Sequence, residues 1–342
     1  MTAASLDREP AVDHFRTGLL FAVASAFAFG MSGPLAKALM EAGWSPTAAV
    51  TARLAGGAVV MAVVATIMRP GWVREASRHA KIVVAYGIVP IAGAQLFYYN
   101  AVAHLSVAVA LLLEYTAPLL VVGYLWVTTR RRPGNLVLAG VALAIFGIML
   151  VLDVFAGAHV YLVGVGFGLA AAVCAACYFV MSDEVATGGD DDAAIHPITL
   201  AAAGLVVGAV AVALLGVTGI MPLTFTANQA VIAGWTTSWL VPVALLAVVP
   251  TAIAYTLGII GIARLRPRFA SLVGLAEVLF AVLAAWALLG QAVSPIQAIG
   301  GAVVLVGLGL ARLGDRTETV AAATWPETPS QPAAAEQSVR RR

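Results

Sequence analysis

Ten stretches of about 20 mostly apolar residues recur along the chain, and they limit the possible folds more than any other feature. A helix of this length crosses the ~30 Å hydrocarbon core of a bilayer. The stretches predict transmembrane helices at residues 17–40, 46–68, 81–103, 106–128, 134–152, 161–182, 197–219, 239–262, 268–289 and 294–312. Because 61% of the residues are hydrophobic and only 11% are charged, a water-soluble fold could not cover its apolar side chains. The predicted fold class is therefore an all-α integral membrane protein.

Two polar segments flank the apolar stretches. Residues 1–16 predict an N-terminal tail, and residues 313–342, rich in Ala, Pro, Glu and Ser, predict a disordered C-terminal tail. The first apolar stretch is longer than a signal peptide and is followed by nine more, so we expect it to stay in the protein.

The basic residues favour one orientation in the membrane. With the N-terminus inside, nearly all of them fall on the cytoplasmic side: Arg8, Arg16, Arg69, Arg74, Arg78, Lys81, Arg130, Arg131, Arg132, Arg264, Arg266, Arg268, Arg312, Arg316, Arg340, Arg341 and Arg342. This positive-inside pattern predicts a multi-pass inner-membrane protein with both termini in the cytoplasm. The inner loop 183–196 is acidic instead; we interpret it as solvated, with a metal or regulatory role as the alternative.

The two halves of the chain resemble each other. A shift of 160 residues aligns Pro90 with Pro250 and Trp126 with Trp286, and it also aligns Gly140 with Gly300 and Gly147 with Gly307. The repeat unit contains five helices, so the second copy must enter the membrane from the opposite side. Such inverted repeats let one binding site face each side in turn, which favours a transporter. Duplication retained only for packing is the alternative.

Four charged residues lie within the predicted spans. Lys37, Arg53 and Glu114 share a depth near the outer face, which predicts that Glu114 pairs with one or both cations. The remaining positive charge would suit a substrate carboxylate, whereas a structural ion pair is the alternative. Glu277 lies near the middle of its helix without a basic residue at its depth. Such a carboxyl group could exchange a proton or hold a substrate amine, or it could be a neutral group hydrogen-bonded between helices.

Polar side chains near these charges could line a cavity. Helix 3 carries Gln95, Tyr99 and Asn100, and Tyr115 and Tyr255 lie on helices 4 and 8. Each of them alone is more often a group that packs between helices. The candidate substrate site comprises Gln95, Asn100, Tyr115 and Tyr255 of this lining together with Lys37, Arg53, Glu114 and Glu277. Glu114 and Glu277 are the candidates for proton coupling.

Other classes of site have little support in the sequence. The only two cysteines, Cys174 and Cys177, lie inside one span and are interpreted as buried thiols. The five histidines do not cluster, and no nucleotide-binding, zinc-protease or nucleic-acid-binding pattern is present. We therefore expect neither a metal nor a cofactor, and no nucleic-acid partner. A membrane enzyme or receptor-like protein is the alternative of another class.

Several fragments, taken in order, resemble a known family. They are Gly33-Pro34-Leu35-Ala36-Lys37, Pro46 with Arg53, Leu113-Glu114-Tyr115-Thr116-Ala117-Pro118, Ala276-Glu277-Val278, Leu288-Leu289-Gly290-Gln291 and Pro295-Ile296-Gln297. Over residues 17–312 the chain resembles the EamA-type ten-helix transporters of the drug/metabolite transporter superfamily, and it is most similar to the threonine/homoserine exporter branch. Val278 and Gln291 stand where this family commonly has a proline and a glutamate.

The resemblance implies two five-helix repeats, at residues 17–152 and 161–312, and export of amino acids or related metabolites. The expected partners are a small-molecule substrate and the lipid bilayer, and the expected assembly is a monomer or homodimer. Transport would proceed by alternating access. It would be driven either by a proton gradient or, in facilitated diffusion, by the concentration gradient of the substrate. A drug efflux pump or an uptake permease of the same superfamily is the alternative within this class.

Overall fold

The computed structural model describes residues 9–130, 132–152, 161–187, 195–254, 256–257 and 267–323, and they are mostly helical. The helices are α1 (Glu9–Gly30), α2 (Ser32–Glu41), α3 (Pro46–Met68), α4 (Trp72–Arg78), α5 (Ala80–Tyr86), α6 (Ala94–His104), α7 (Val107–Glu114), α8 (Ala117–Thr129), α9 (Asn135–Val151), α10 (Leu162–Thr187), α11 (Pro197–Val217), α12 (Leu240–Ala247), α13 (Pro267–Leu289) and α14 (Pro295–Ala323). Two strands, β1 (Ala230–Ile232) and β2 (Trp235–Thr237), form an antiparallel hairpin between α11 and α12.

Six apolar helical segments among the described residues are long enough to cross a membrane. They are Thr17–Glu41, Pro46–Met68, Ala80–His104, Val107–Thr129, Ile198–Val217 and Pro295–Gly314. Four shorter apolar segments are Asn135–Val151, Leu162–Tyr178, Leu240–Ile253 and Leu275–Leu289. The prediction of an all-α membrane protein is confirmed, apart from the small hairpin, which the sequence analysis did not predict.

Prolines interrupt two of the long segments. Pro34 has no N–H to donate to the carbonyl oxygen of Gly30, and α1 ends at Gly30 before α2 begins. Pro118 frees the carbonyl oxygen of Glu114 in the same way, and α7 ends at that residue. Val278, which stands where the family commonly has a proline, leaves α13 continuous past Glu277. The first and fourth spans are thus each built from two helices.

Two π-helical segments surround prolines at matching positions of the two halves. Gly87–Gly93 contains Pro90, and Val248–Ile253 contains Pro250. A proline inside a helix removes one backbone hydrogen bond, and the wider π turn accommodates the change by bonding over five residues. The amide of Ala94, for example, donates to the carbonyl oxygen of Val89.

Helices α9 and α14 touch through four glycines. A Cβ atom on Gly147 would lie 2.7 Å from the nitrogen of Val304 and 2.8 Å from the carbonyl oxygen of Gly300. A Cβ on Gly140 would similarly meet the backbone of Gly307 and Ala311. Because Gly140 faces Gly307 while Gly147 faces Gly300, the two helices run antiparallel. Small residues of this kind let membrane helices approach closely.

The long connection between α11 and α12 covers the end of α2. Ser45 Oγ accepts a hydrogen bond of 3.0 Å from the amide of Thr224, and the indole nitrogen of Trp44 donates to the carbonyl oxygen of Thr226 over 2.8 Å. The Trp44 ring also contacts the ring of Phe225, with centroids 5.1 Å apart. These contacts join the two halves at the face where α3 begins.

At the opposite face, Glu75 of α4 holds the start of α11. Its carboxylate accepts hydrogen bonds of 2.7 Å from the amide of His196 and of 2.7 Å from the hydroxyl of Thr199. Partial burial alone would raise the pKa of Glu75, but these two hydrogen bonds and the nearby Arg69 guanidinium outweigh it and lower this pKa. A carboxylate at a helix N-terminus is also favoured by the helix dipole.

Several helices extend beyond the predicted spans. α1 begins at Glu9, inside the predicted tail of residues 1–16, and α14 continues to Ala323, inside the segment predicted to be disordered. α10 likewise reaches Thr187, past the predicted end at residue 182. Hydropathy marks where a helix leaves the lipid, whereas the helical backbone hydrogen bonds continue through residues of good helix propensity such as Ala and Arg. Most of the acidic loop 183–196 lies outside the described residues.

Candidate functional site

Arg53 is the most buried charged side chain of the candidate site, with 4% of its surface exposed. Its Nη1 donates to Gln95 Oε1, to Ser32 Oγ and, over 3.2 Å, to the hydroxyl of Tyr99. Its Nη2 lies 3.5 Å from the carbonyl oxygen of Pro250. The guanidinium thereby joins α2, α3 and α6 of the first half to the second π-helical segment.

Two glycines on α3 allow this arrangement. A Cβ on Gly57, one turn after Arg53, would lie 2.5 Å from Cγ2 of Thr251. A Cβ on Gly56 would lie 2.5 Å from the Cβ of Ala247. Without side chains at these positions, α3 can lie directly against the segment around Pro250, so the guanidinium reaches its carbonyl oxygen.

A cavity with an empty volume of about 350 Å³ contains both membrane carboxyl groups, and we call it the acidic cavity. It is lined by Phe29, Gly30, Ser32, Arg53, Gln95, Tyr98, Leu111, Glu114 and Glu277. Gly30 lets α1 approach α13 here, because a Cβ on it would lie 3.1 Å from the carbonyl oxygen of Glu277. One guanidinium and two carboxyl groups thus surround a single small space.

Glu277 has a hydrogen-bond partner in the other half of the chain. The hydroxyl of Tyr115 donates to Glu277 Oε2 over 2.7 Å. Tyr115 lies directly after the end of α7, in the interruption that Pro118 causes. The sequence analysis found no basic residue at the membrane depth of Glu277. In the structure Glu277 nevertheless shares a cavity with Arg53 and a hydrogen bond with Tyr115.

A second cavity, with an empty volume of about 520 Å³, adjoins the first, and we call it the aromatic cavity. It is lined by Arg53, Leu54, Tyr86, Pro90, Ile91, Gln95, Tyr178, Ala201, Leu205 and Thr251. The rings of Tyr86 and Tyr178 lie against each other with centroids 5.7 Å apart. Among the described residues, Arg53 and Gln95 line both cavities.

The structure brings together five of the eight predicted site residues and leaves two of them elsewhere. Arg53, Gln95, Glu114 and Glu277 line the acidic cavity, and Tyr115 binds Glu277. Lys37 lines neither cavity; its ammonium group donates to the carbonyl oxygen of Val102 over 2.8 Å. Asn100 also lies outside both cavities and donates to the carbonyl oxygen of Leu96 on its own helix over 2.7 Å. Tyr255 lies outside the described residues.

Sequence reasoning missed two contributors to the Arg53 environment. Ser32 follows the interruption of the first span, so its place between Gly30 and Pro34 was the available signal. The carbonyl oxygen of Pro250 carries no signal in residue type, because any residue supplies a carbonyl group. In the part of the chain that the structure describes, no group of three or more His, Cys, Asp or Glu side chains could hold a metal ion.

Comparison with known proteins identifies the family of the chain. Residues 16–153 and 162–313 each match the EamA-like transporter family. The chain belongs to this family. It is also 29% identical over 280 residues to the threonine/homoserine exporter RhtA of Escherichia coli strain K12, covering 80% of this chain and 84% of RhtA. The RhtA proteins of strains O6:H1 and O157:H7 match to the same extent.

One solved structure, described as the crystal structure of a protein, has the same fold. Its TM-score is 0.56 at 22% sequence identity, and the match covers 91% of this chain and 100% of the other.

The family match and the identity to RhtA confirm the predicted resemblance to EamA-type transporters near the threonine/homoserine exporters. The protein is a multi-pass membrane transporter of the EamA-like family.

Proposed function

We propose that the protein exports small amino acids or related zwitterionic metabolites across the inner membrane. The observation that carries this proposal is the acidic cavity, where Arg53 faces the same space as Glu114 and Glu277. An arginine guanidinium binds a carboxylate through paired hydrogen bonds, and a carboxylate binds an ammonium group. An amino acid offers both groups a few ångströms apart. The exporter RhtA, whose name states threonine and homoserine as its substrates, supports the same substrate class.

Alternating access between two inverted five-helix repeats, ten helices in all, is the proposed mechanism. The matched π-helical segments around Pro90 and Pro250 support two equivalent halves. The contacts of Gly140 with Gly307 and of Gly147 with Gly300 support an inverted relation, because a two-fold rotation exchanges one pair with the other. Related halves of this kind can rock about a site between them and expose it to each side in turn.

The orientation and the coupling are parts of the same proposal. Basic residues on one side support cytoplasmic termini and an inner-membrane location. Two carboxyl groups in one cavity support coupling to protons, because a proton on either of them relieves the repulsion between two negative charges. The proposed transporter needs no cofactor and performs no enzymatic reaction, and it acts as a monomer or homodimer.

The first test is mass spectrometry of the growth medium of cells that express the protein. We expect one or a few amino acids to accumulate with the intact protein and not with a Glu114→Ala, Glu277→Ala variant. Glu41→Gln is the matched control, because Glu41 is an exposed carboxylate at the end of α2 that lines neither cavity. An unchanged metabolite profile with the intact protein would contradict amino acid export.

The aromatic cavity favours a second candidate, efflux of neutral aromatic drugs. The rings of Tyr86 and Tyr178 could pack against such a solute, and Leu205 adds an apolar wall. Growth in the presence of toxic neutral aromatic compounds separates the two functions. Resistance that depends on Tyr178, without amino acid excretion, would favour drug efflux over the first proposal.

A further inference from the structure

The two cavities lie toward opposite faces of the membrane and meet at Arg53 and Gln95. Ala201 in the aromatic cavity lies four residues, about 6 Å, into α11, which begins beside Glu75 at the face where α3 ends. Leu111 in the acidic cavity lies four residues into α7, which begins at the opposite face. Arg53 and Gln95, which line both cavities, therefore lie between the two spaces.

Four neutral oxygen atoms among the described residues contact the guanidinium there. They are the side-chain oxygens of Gln95, Ser32 and Tyr99 and the carbonyl oxygen of Pro250. A carboxylate offers a guanidinium a full negative charge and two parallel hydrogen bonds, whereas a neutral oxygen offers neither. A carboxylate that reaches Arg53 can therefore replace one of these neutral partners.

Gln95 is the partner that lies in the path. Like Arg53, it lines both cavities, whereas Ser32 lines only the acidic cavity and Tyr99 is fully buried. Its amide is long enough to turn away from Arg53 without moving the α6 backbone. Displacement of Gln95 would therefore join the two cavities while the remaining hydrogen bonds still hold the guanidinium.

We propose that the Gln95 side-chain oxygen occupies the carboxylate position on Arg53 and keeps the two cavities apart until a substrate carboxylate displaces it. This inference rests on the proposed function in one respect, namely that Arg53 receives the substrate carboxylate. It makes Gln95 a specificity-determining residue. A solute without a carboxylate can enter the aromatic cavity, but it lacks the group that displaces Gln95 and therefore passes Arg53 more slowly.

Cysteine accessibility tests the separation without knowledge of the natural substrate. The reporter is Leu111→Cys in the acidic cavity, on a background in which Cys174 and Cys177 are replaced by alanine. A membrane-impermeant methanethiosulfonate reagent is applied to inside-out vesicles of the full-length protein. These vesicles expose the proposed cytoplasmic face, so the reagent enters from the side of the aromatic cavity. Gln95→Leu should raise the labelling rate roughly five- to tenfold, because it removes about one hydrogen bond from the closed arrangement. Gln95→Glu should lower the rate, because an ion pair with Arg53 is harder to displace.

Gln95→Asn guards against misfolding of the leucine variant. It keeps the amide but is one methylene too short to reach the guanidinium, so it should also label faster than the intact protein. Equal labelling rates for the intact protein, Gln95→Leu, Gln95→Asn and Gln95→Glu would overturn the inference.

A pair of added solutes tests displacement by a carboxylate. Millimolar L-threonine should accelerate labelling of the intact protein but not of Gln95→Glu, whereas L-threoninol, which lacks the carboxylate, should have no effect. Equal acceleration by both solutes would contradict the role of the carboxylate. Excretion is measured separately, so the two proposals can fail separately. Excretion with equal labelling rates would support export and refute the role of Gln95. Labelling rates that depend on the variant, without excretion, would support the role of Gln95 and refute export.

Discussion

The hydroxyl of Tyr115 donates a hydrogen bond of 2.7 Å to Glu277, which lies 162 residues later in the chain. Tyr115 belongs to the interrupted fourth span of the first half, and Glu277 belongs to a continuous helix of the second half. This contact joins the halves at the cavity itself, so its removal should affect transport and stability together.

Tyr115→Phe should lower the unfolding free energy in detergent by about 1–3 kcal/mol, the cost of leaving the partly buried carboxyl group of Glu277 without its donor. The ring remains, so the packing is retained. Tyr124→Phe is the matched control, because Tyr124 on α8 is 54% exposed. A thermal unfolding curve measures the difference between the variants. Equal midpoints for the two would mean that Glu277 finds another donor.

Arg53→Ala should reduce export of carboxylate-bearing solutes roughly 10- to 100-fold, which corresponds to hydrogen bonds that involve charged groups. Solutes without a carboxylate should lose less, since they do not need the guanidinium. Excretion of several solutes from the same cells provides the comparison, with Arg74→Ala, an exposed residue of α4, as control. Equal losses for all solutes would instead indicate that Arg53 holds the helices together.

Glu277→Gln should remove the dependence of transport on external pH and leave the amount of folded protein unchanged. The amide keeps the size of the side chain and can still accept the hydrogen bond from Tyr115, but it cannot exchange a proton. Initial export rates between pH 5 and pH 8 measure the effect, and size-exclusion chromatography checks the fold. A pH profile identical to that of the intact protein would assign proton coupling elsewhere, with Glu114 as the next residue to replace.

Gly147→Ala should destabilise the protein by about 1–3 kcal/mol, because the new methyl group would meet the backbone of α14, which cannot turn aside as a side chain can. Gly309→Ala is the control on α14 itself, where a Cβ would have open space around it. That change should be neutral or stabilising by up to about 1 kcal/mol, since alanine favours helix over glycine. Equal effects of the two changes on thermal unfolding would show that the glycine contact does not limit stability.

Glu75 should make the stability of the protein sensitive to acid. Its pKa in the folded protein lies below the ordinary value of 4.5, so its contribution is complete above that pH and is lost as the pH falls through the lower, native value. Glu75→Gln should cost about 1 kcal/mol at neutral pH, the typical contribution of a carboxylate at a helix N-terminus. Thr199→Val, which removes one of the two donors, should reproduce part of this loss. Thermal unfolding midpoints measured between pH 7 and pH 3 test this pH dependence. If the midpoints of the intact protein and of Glu75→Gln changed in parallel with pH, the assignment to Glu75 would be contradicted.

The features that depend on nearby residues could be predicted from the sequence. The length of an apolar stretch placed the second predicted span at residues 46–68, where the structure has α3, Pro46–Met68. The ends of α1 at Gly30 and of α7 at Glu114 follow from the positions of Pro34 and Pro118, because a proline removes a hydrogen bond to a carbonyl group only four residues earlier. The contacts between residues far apart in the chain could not be predicted from the sequence. Nothing near Glu75 indicates the distant amide of His196, and the shared depth of Lys37 and Glu114 did not reveal that Lys37 would instead bind the carbonyl oxygen of Val102.

The π-helical segment Gly87–Gly93 determines which way the rest of its helix faces. A π turn acts as a one-residue insertion in an α-helix, and one residue corresponds to a rotation of about 100°. Tyr86 lies before this segment and Gln95 after it, and both line the aromatic cavity. A regular helix would turn Gln95 by that angle relative to Tyr86 and point it away from Arg53. Pro90 therefore sets the rotational phase of α6, so a backbone irregularity directs the side chain that contacts the guanidinium.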